Sequence, residues 1–304
     1  MPSLAPAPRN RISILEKRAA LIQGTRAFFI KQGFLEVETP LRIPAPAPEA
    51  HIEPERAGEW YLQTSPELCM KRLLAAGCSR IFQICKCFRR HERGDRHLPE
   101  MTMLEWYRVA ADYRDLMTDC EGLLHSLAQD FALHLNGQTL NLTPPWPRLT
   151  LDAAFQRYAP ISLDQALAED HFEEILVRDI EPHLGRETPV FLCDYPATQA
   201  SLSRLHPDNP ALAERFELYV NGVELANGFS ELTDAGEQRL RFQREQETIA
   251  ALGRQPGPMP ESFLVDLARM PPAAGIALGI DRLVMLFTGA SRIDQVVSFV
   301  PEGL

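Results

Sequence analysis

The spacing of apolar residues in the first part of the chain predicts a helix, a short strand and a second helix. Apolar positions recur at helical spacing from Ser13 to Gln32, and Gly33 stands where a helix C-cap is expected. Apolar and polar residues then alternate over residues 34–39, a pattern typical of a strand, until Pro40 removes a backbone donor. Helical spacing returns over residues 66–76, so a second helix is expected there.

The rest of the chain predicts mostly short strands. Residues 81–88 and 101–109 are strand-like and flank a polar loop, which indicates two paired strands. The dipeptide Asn221-Gly222 is the strongest short-range signal for a hairpin turn. Residues 275–286 are typical of a glycine-rich strand that runs into a helix. Residues 151–184 have helical spacing broken by prolines, and no function is assigned to them.

Length and composition predict one folded domain. The chain has 304 residues, of which 45% are apolar, and this is enough to bury a substantial core. No internal repeat, low-complexity tract or linker divides the sequence. We therefore expect a single domain over residues 12–304 that follows a disordered or extended tail over residues 1–11. The six cysteines include no Cys-x-x-Cys pair and are expected to be reduced, structural thiols.

The charge balance and the hydropathy exclude two classes of protein. The chain has 31 Lys and Arg against 41 Asp and Glu, a net charge of −10, so it is not expected to hold nucleic acid by bulk charge. No stretch approaches the roughly 18 apolar residues that a membrane span needs, and residues 1–11 lack the apolar core of a signal peptide. We expect a cytoplasmic protein that makes no membrane contact.

One loop reverses the overall charge. Residues 86–97 hold five Lys or Arg against two acidic residues, a local charge of +3 in a chain whose remainder carries −13. Such a loop suggests an anion-binding site. A solvated charged loop is the alternative, and it is the more common one where no other motif accompanies the loop.

The predicted hairpin brings acidic residues together. A two-residue turn at Asn221-Gly222 would place Tyr219 opposite Glu224, with Glu217 on the same face and diagonal to Glu224. Diagonal neighbours lie roughly 7 Å apart, and two carboxylates at that separation can share a hard divalent cation or bridge its waters. The alternative is a solvated strand face.

The glycine-rich strand near the end of the chain indicates a second ligand contact. Gly279 lets a ligand or another backbone approach closely, and Arg282 follows in the first turn of the predicted helix, which suits a nucleotide. Asp281 is expected to cap that helix. Packing alone would also explain small residues in this segment.

These segments, in this order, resemble the three signature motifs of the class II aminoacyl-tRNA synthetases. Residues 33–40, Gly-Phe-Leu-Glu-Val-Glu-Thr-Pro, are similar to motif 1. The segment that starts at Phe88-Arg89 is similar to motif 2, and Gly279-Ile-Asp-Arg282 is similar to motif 3. The resemblance covers about residues 12–299, nearly the whole chain.

Within the class, the lysyl branch is the part that the chain resembles, through residues 64–67, 99–107 and 224–231. Lysyl-tRNA synthetases carry an additional N-terminal OB-fold domain that reads the anticodon, and residues 1–11 leave no room for one. The chain is therefore similar to paralogues of these enzymes that lack this domain and join (R)-β-lysine to elongation factor P instead of tRNA.

The resemblance implies a fold and a chemistry. The implied fold is α+β, a class II synthetase catalytic domain in which helices flank a six-stranded antiparallel sheet and motif 1 forms much of a homodimer interface. The implied activity is that of an ATP-dependent, AMP-forming amino-acid ligase that uses Mg²⁺. Its partners would be a small-molecule amino acid and elongation factor P, without anticodon recognition.

The resemblance also assigns roles to residues at matching positions. Arg89 and Arg282 would act in catalysis, and Glu217 and Glu224 would hold Mg²⁺. The residues that would bind ATP are Arg89, His91, Glu92, His97, Met101, Glu224, Leu225, Asn227, Gly279 and Arg282. The residues that would bind the amino acid are Ser65, Glu67, Glu105, Tyr107, Glu231 and Ala277. Among them, Glu231 is expected to receive the side-chain amine.

The chain departs from the synthetase pattern at four positions. His91 stands where a glutamate is usual, Leu98 replaces a usual asparagine, and Met101 replaces the phenylalanine on which adenine stacks. A thioether can pack on an aromatic ring, so Met101 is compatible with ATP binding. Ala277 matches the alanine of the β-lysine-specific paralogues, where lysyl-tRNA synthetases carry glycine.

Two other functions stay open at this point. One is a lysine-activating enzyme that charges tRNA or another small acceptor; the net charge of −10 and the lack of an anticodon domain argue against it. The other is a non-catalytic synthetase-like module that regulates by binding. One feature argues against that module, the joint presence of Arg89, Glu224, Glu231 and Arg282.

Overall fold

Helices and strands alternate along the chain in a computed structural model that describes residues 8–130, 133–135 and 138–304. The helices are α1 Pro8–Lys31, α2 Glu67–Ala75, α3 Tyr113–Asp130, α4 Leu151–Tyr158, α5 Leu163–Ala168, α6 Phe172–Ile175, α7 Ala235–Ala251, α8 Glu261–Leu267 and α9 Ile280–Thr288. The strands are β1 Leu35–Glu36, β2 Arg42–Ile43, β3 Arg56–Ala57, β4 Trp60–Leu62, β5 Arg80–Phe88, β6 Glu100–Val109, β7 His134–Leu135, β8 Gln138–Thr139, β9 Arg148–Thr150, β10 Val190–Pro196, β11 Leu205–His206, β12 Asn209–Val220, β13 Val223–Ser230 and β14 Ala273–Gly279.

The main sheet is mixed and has nine strands, in the order β1-β5-β6-β14-β13-β12-β10-β9 with β11 paired to β12. Its six central strands, from β5 to β10, pair antiparallel. At the edges, β1 lies parallel to β5 and β9 lies parallel to β10. The expected six-stranded antiparallel sheet is therefore correct for the centre and wrong for the whole, because the short strands β1 and β9 add parallel edges and β11 pairs with β12.

The register of the central strands aligns residues from distant parts of the chain in rows. In one row, Ala277 of β14 lies between Glu105 of β6 and Asn227 of β13. The row continues to Glu217 of β12, which is the partner of Asn227. Neighbouring strands lie about 4.8 Å apart, so the backbones of Glu105 and Glu217 are separated by about 14 Å.

The two faces of the sheet have different roles. On β6, Leu104 and Trp106 belong to the main hydrophobic core, which α1, α3 and α9 help to form. Glu105 and Tyr107 alternate with them and line a cavity on the opposite face. On β14, Gly275, Ala277 and Gly279 line the same cavity.

The predicted hairpin is confirmed. Asn221 and Gly222 have φ values of 53° and 70°, and Val220 pairs with Val223 across the turn. The next pair is Tyr219 with Glu224, and the pair after it is Leu218 with Ala226. Leu225 is therefore an extra residue on β13, as in a β-bulge. Glu217 therefore lies opposite Asn227.

The first helix is longer than predicted and the strand after it is shorter. The helix α1 begins at Pro8, so residues 8–11 are part of it and do not form an extended tail; residues 1–7 lie outside the described residues. Gly33 ends the helix with a φ of 77°, as its position in the sequence predicts. The strand β1 is limited to two residues, because only these pair with β5.

Asp281 does not cap its helix, contrary to the prediction. The N-cap position is Gly279, and the Asp281 side chain is buried. It accepts the backbone N–H of Thr102 at 2.7 Å and pairs with Arg18 of α1 at 2.6 Å. Asp281 thus ties the start of α9 to β6 and α1. Within the described residues, no helix has the length and apolar content to cross a membrane.

Candidate active site

A cavity of about 330 Å³ opens on the polar face of the sheet. Strands β6, β13 and β14 form its floor, and the loop after β5 forms one side. The cavity brings together most of the residues selected from the sequence: Ser65, Glu67, Arg89, Glu92, His97, Met101, Glu105, Tyr107, Glu224, Leu225, Asn227, Ala277, Gly279 and Arg282. Residues that are far apart in the sequence therefore share one site.

One end of the cavity is acidic. Glu105 is 1% exposed and accepts hydrogen bonds from the Ser65 hydroxyl at 2.6 Å and the Tyr107 hydroxyl at 2.7 Å. Burial raises the pKa of Glu105 to about 7, and the nearby charge of Glu67 adds to the rise. A carboxyl that is held in this way gains from a cationic ligand, because the ligand offsets the cost of its buried charge.

Glu231 lies beneath the same end and does not line the cavity directly. It is 1% exposed, and its Oε2 is 2.5 Å from the ammonium of Lys71. The other oxygen, Oε1, has no hydrogen-bond partner among the described residues. Burial raises the pKa of Glu231 to about 8, although the charge of Lys71 opposes the rise.

The opposite end of the cavity carries a cluster of polar side chains from three distant segments, Arg282, Glu224 and His97. The Arg282 Nη1 donates to the Glu224 carbonyl at 2.6 Å and lies 3.2 Å from its carboxylate. The Arg282 Nη2 lies 2.6 Å from the His97 Nε2. Burial, followed by the charge of Arg282, lowers the pKa of His97, so the ring is neutral at pH 7 and accepts this hydrogen bond.

The carboxylate of Glu224 is ionised. Loss of solvent alone would raise its pKa, but the charge of Arg282 and the hydrogen bond to it hold the pKa below its usual value. Arg282 thereby keeps Glu224 available for a cation.

Arg89 lies on the side of the cavity and is loosely held. Its Nε donates to the Thr64 carbonyl at 3.4 Å, and its Nη1 is 3.7 Å from the Glu92 carboxylate. Both distances are long for charge-assisted contacts. The guanidinium can therefore exchange these contacts for a bidentate pair with a phosphate or a carboxylate.

Glu217 and Glu224 form the candidate cation site. Glu217 is 7% exposed, accepts from the Tyr219 hydroxyl at 2.7 Å and pairs with Arg215 at 2.8 Å. Burial, followed by the charge of Glu224, raises the pKa of Glu217. Two repelling carboxylates fit a hard divalent cation, which relieves their repulsion. The described residues contain no group of three or more His, Cys, Asp or Glu that could hold a metal ion, so other ligands would come from phosphate and water.

His91 does not line the cavity, which differs from its predicted role in binding ATP. Its φ of 67° places it in the left-handed region, at the tip of the turn after Arg89. Its side chain is 70% exposed and lies 3.8 Å from the Glu53 carboxylate. The substitution of the usual glutamate by His91 is therefore outside the pocket, whereas Glu92 lines it.

The sequence analysis missed three charged residues at the site. Lys71 follows Glu67 at i+4 on α2, and this spacing is a signal for an ion pair. Arg215 lies on β12 over the Tyr195 ring, at 4.4 Å from its centroid. Glu181 lies in the segment 151–184, to which the sequence analysis assigns no function. Its carboxylate accepts a hydrogen bond from the Tyr219 hydroxyl at 3.1 Å.

Comparisons with known proteins agree with this geometry. The model of the class II tRNA synthetases (D, K and N) matches residues 7–302. The elongation factor P–(R)-β-lysine ligase of Klebsiella pneumoniae subsp. pneumoniae is 40% identical over 324 aligned positions, which cover 97% of this chain and 97% of that protein. Ligases of the same name from another Klebsiella pneumoniae strain and from Salmonella paratyphi B are 40% identical with the same coverage. The chain therefore belongs to the class II tRNA synthetase family, in the group that contains the elongation factor P–(R)-β-lysine ligases.

Proposed function

We propose that the protein activates (R)-β-lysine with ATP and transfers it to a lysine side chain of elongation factor P. Relatives that match 97% of the chain are elongation factor P–(R)-β-lysine ligases, and this supports the assignment. The protein would act in the cytoplasm. As a homodimer it would bury the apolar side chains that α1, β1 and the next loop expose, Ile30, Leu35 and Leu41.

The observation that carries the proposal is the difference between the two ends of one cavity, with buried carboxylates at one end and Arg282 beside Glu224 at the other. Glu105 and Glu231 supply buried carboxylates at one end, and Arg282 supplies a guanidinium at the other. The row from Glu105 to Glu217 extends about 14 Å between the two ends. A molecule with two ammonium groups can bind at the acidic end while its carboxylate extends towards the phosphates of ATP.

The first step joins the amino acid to AMP. A carboxylate oxygen of β-lysine attacks the α-phosphorus of ATP, and the bond from that phosphorus to pyrophosphate breaks. Two negatively charged groups must approach each other, so the site has to neutralise and orient them. Arg89 is placed to pair with both, since its present contacts are weak.

The cation site fits this step. Glu217 and Glu224 would hold Mg²⁺, which supplies electrostatic stabilisation to the leaving pyrophosphate when bound. Arg282, with the neutral His97 beside it, would contact the outer phosphates or the adenine.

In the second step the amine of an acceptor lysine attacks the carbonyl carbon of the mixed anhydride. The bond from that carbon to the phosphate oxygen breaks, AMP leaves, and an amide forms. The acceptor amine has to lose a proton before it can attack, since an ammonium has no free electron pair.

Isotope exchange between pyrophosphate and ATP tests the activation step. The wild-type protein should show exchange that depends on (R)-β-lysine and on Mg²⁺, and slower exchange with α-lysine. Faster exchange with α-lysine would instead favour the enzyme that charges tRNA or a small acceptor. Absence of exchange with either isomer would favour a binding module.

Met101 gives a prediction about ATP. Met101 lines the cavity on β6, and a flexible thioether is a poorer platform for adenine than an aromatic ring. The substitution Met101→Phe should lower the KM for ATP by about 2- to 10-fold, as expected for an added aromatic pair. Steady-state exchange at varied ATP measures it, with the KM for the amino acid as the internal control. An unchanged or raised KM for ATP would show that adenine does not lie there.

Ala277 gives a prediction about the choice of isomer. Its methyl group lies in the row beside Glu105 on the cavity floor. A β-amino acid has its amine one carbon further from the carboxylate, so this floor can accept it while crowding the α-isomer. One methyl group contributes about 1 to 3 kcal/mol of discrimination, or 10- to 200-fold.

The substitution Ala277→Gly should therefore raise kcat/KM for α-lysine by about tenfold or more. Both isomers are measured on the wild type and the variant. Equal use of both isomers by the wild type, or no gain for α-lysine with glycine, would mean that Ala277 only packs.

A further inference from the structure

Lys71 is a buried cation under the acidic end of the cavity, in a place where the reaction has no need of a protein amine. Its side chain is 1% exposed, and it does not line the cavity. Burying an ammonium is costly unless it is paired on all sides. Because burying this ammonium is unfavourable, its surroundings indicate the function that it serves.

The ammonium of Lys71 joins two carboxylates that come from different elements. It is 2.5 Å from Glu67 Oε1 on the same helix and 2.5 Å from Glu231 Oε2 at the end of β13. It also lies 5.1 Å from the centroid of the Phe229 ring, which lines the cavity. Burial alone would lower the pKa of Lys71, but the charges of Glu231 and Glu67 raise it, so the group is an ammonium throughout the neutral range.

The geometry leaves one buried oxygen of Glu231, Oε1, for a ligand. Lys71 pairs with Oε2 at 2.5 Å, whereas Oε1 has neither an ion-pair nor a hydrogen-bond partner among the described residues. A Cβ on Gly275 would overlap that Oε1, which shows that Oε1 lies next to the glycine in the cavity wall. The backbone N–H of Glu231 donates to the Ala273 carbonyl at 2.9 Å, so the residue is held at its backbone and, through Oε2, at its side chain.

The charges in this region then match a diamino substrate. Three carboxylates, Glu67, Glu105 and Glu231, face the single ammonium of Lys71. When all are ionised, two negative charges remain, which is the number that two ammonium groups neutralise. Without Lys71 the three carboxylates would repel one another in a buried site, and protonation would remove acceptors that the substrate needs.

We propose that Lys71 is a positioning residue for the amino-acid substrate, which orients Glu67 and Glu231 and stabilises their negative charge so that they bind the ammonium groups of the substrate. This inference rests on the proposed function only in that the substrate carries two amines, and both isomers of lysine meet that condition. Lys71 acts from beneath the pocket and touches neither ATP nor the acceptor.

The sign of the pH dependence follows from Glu231. Its pKa of about 8 reflects burial opposed by Lys71, so loss of the ammonium lets the pKa rise further. The groups that face this carboxylate are Lys71, Glu67, Glu105 and Tyr107. With a pKa of about 8 the wild-type Glu231 carboxyl loses its proton around that pH, and in a variant without the ammonium it ionises only at a higher pH. Binding of the diamino acid should then improve as the pH rises.

The test measures the KM for (R)-β-lysine and for ATP in the exchange assay between pH 6.5 and 9.5. We expect Lys71→Met to raise the KM for the amino acid at least tenfold at pH 7.5 and to change the KM for ATP by less than about twofold, because the loss is confined to one end. The raised KM should fall as the pH increases. The pH at which half of this fall has occurred, the pH midpoint, should be higher than in the wild type. Lys71→Arg, which keeps the charge, should retain the wild-type midpoint.

Arg72→Met is the matched control. Arg72 is the next residue on α2, with its side chain 45% exposed and paired with Asp266 at 2.6 Å outside the cavity. Neither KM should change. Lys71→Gln replaces the methionine variant if the latter does not fold, since its amide can still donate to one carboxylate, and the same shift of the pH midpoint is expected.

A KM for the amino acid that is unchanged or lower in the neutral variants would overturn the proposal, because Lys71 would then only compete with the substrate for Glu231. Equal effects on both KM values, without a shift of the pH midpoint, would show a purely structural role and also overturn it. If the wild type uses α-lysine and not (R)-β-lysine, the proposed function is wrong, whereas the same series with α-lysine still decides the role of Lys71.

Discussion

Arg89→Ala should lower the rate of adenylate formation by about 100-fold or more. Removal of the guanidinium leaves the α-phosphate and the attacking carboxylate to repel each other, and loss of one such preorganised contact costs on the order of 100- to 1,000-fold. Arg89 lines the cavity and is held by contacts of 3.4 and 3.7 Å, so its loss should disturb the fold little. Single-turnover formation of the adenylate from ATP and (R)-β-lysine gives the rate directly.

The neighbouring arginine supplies the control. Arg90 is 51% exposed and pairs with Glu53 at 2.7 Å outside the cavity, so Arg90→Ala should keep the wild-type rate. Near-normal adenylate formation in the Arg89 variant, with Arg90→Ala equally active, would remove Arg89 from the mechanism.

Gly275→Ala should lower kcat/KM for the amino acid by about 5- to 150-fold. An added Cβ would overlap Tyr107 Cε1 and Glu231 Oε1, at separations that non-bonded heavy atoms do not reach. The ring and the carboxylate must therefore move, and both belong to the end of the cavity that receives the amines. Overpacking of this kind costs about 1 to 3 kcal/mol. Substrate binding would have to return the ring and the carboxylate to their places, so the same cost would appear as about 5- to 150-fold in kcat/KM.

The comparison variant is Gly257→Ala, where the added Cβ would come no closer than 3.8 Å to Tyr61. It should bind both substrates as the wild type does. Steady-state exchange at varied amino acid measures the effect, and the KM for ATP should stay unchanged in both variants. If Gly275→Ala retained the wild-type KM for the amino acid, Tyr107 and Glu231 would not form the amine site.

The elements that could be predicted from the sequence are those whose signals are local. The hairpin at Asn221-Gly222 requires two residues with positive φ, and this dipeptide favours that conformation, so its position and its first pairs were correct. The strand that ends at Gly279 and the helix that follows it are also predicted correctly, because the glycine-rich pattern indicates the strand and helical spacing indicates the helix. These two segments bring Glu224 and Arg282 together.

The features that were missed depend on contacts between distant segments. Asp281 is predicted to cap α9, but it lies inside the first turn of that helix, where α1 packs against α9 and Asp281 forms a buried ion pair with Arg18. Lys71 shows helical spacing from Glu67, yet nothing local indicates that the end of β13 places Glu231 on its other side. The short parallel edges β1 and β9 likewise depend on strands elsewhere in the chain.

The most direct measurement of the central claim is the mass of the acceptor. The protein is incubated with ATP, Mg²⁺, (R)-β-lysine and unmodified elongation factor P, and the factor is analysed by intact-mass and peptide mass spectrometry, with lysine tRNA as the competing acceptor in a parallel reaction. The proposed function predicts one β-lysyl group on a single lysine of elongation factor P and none on the tRNA. An unmodified factor together with charged tRNA would contradict it.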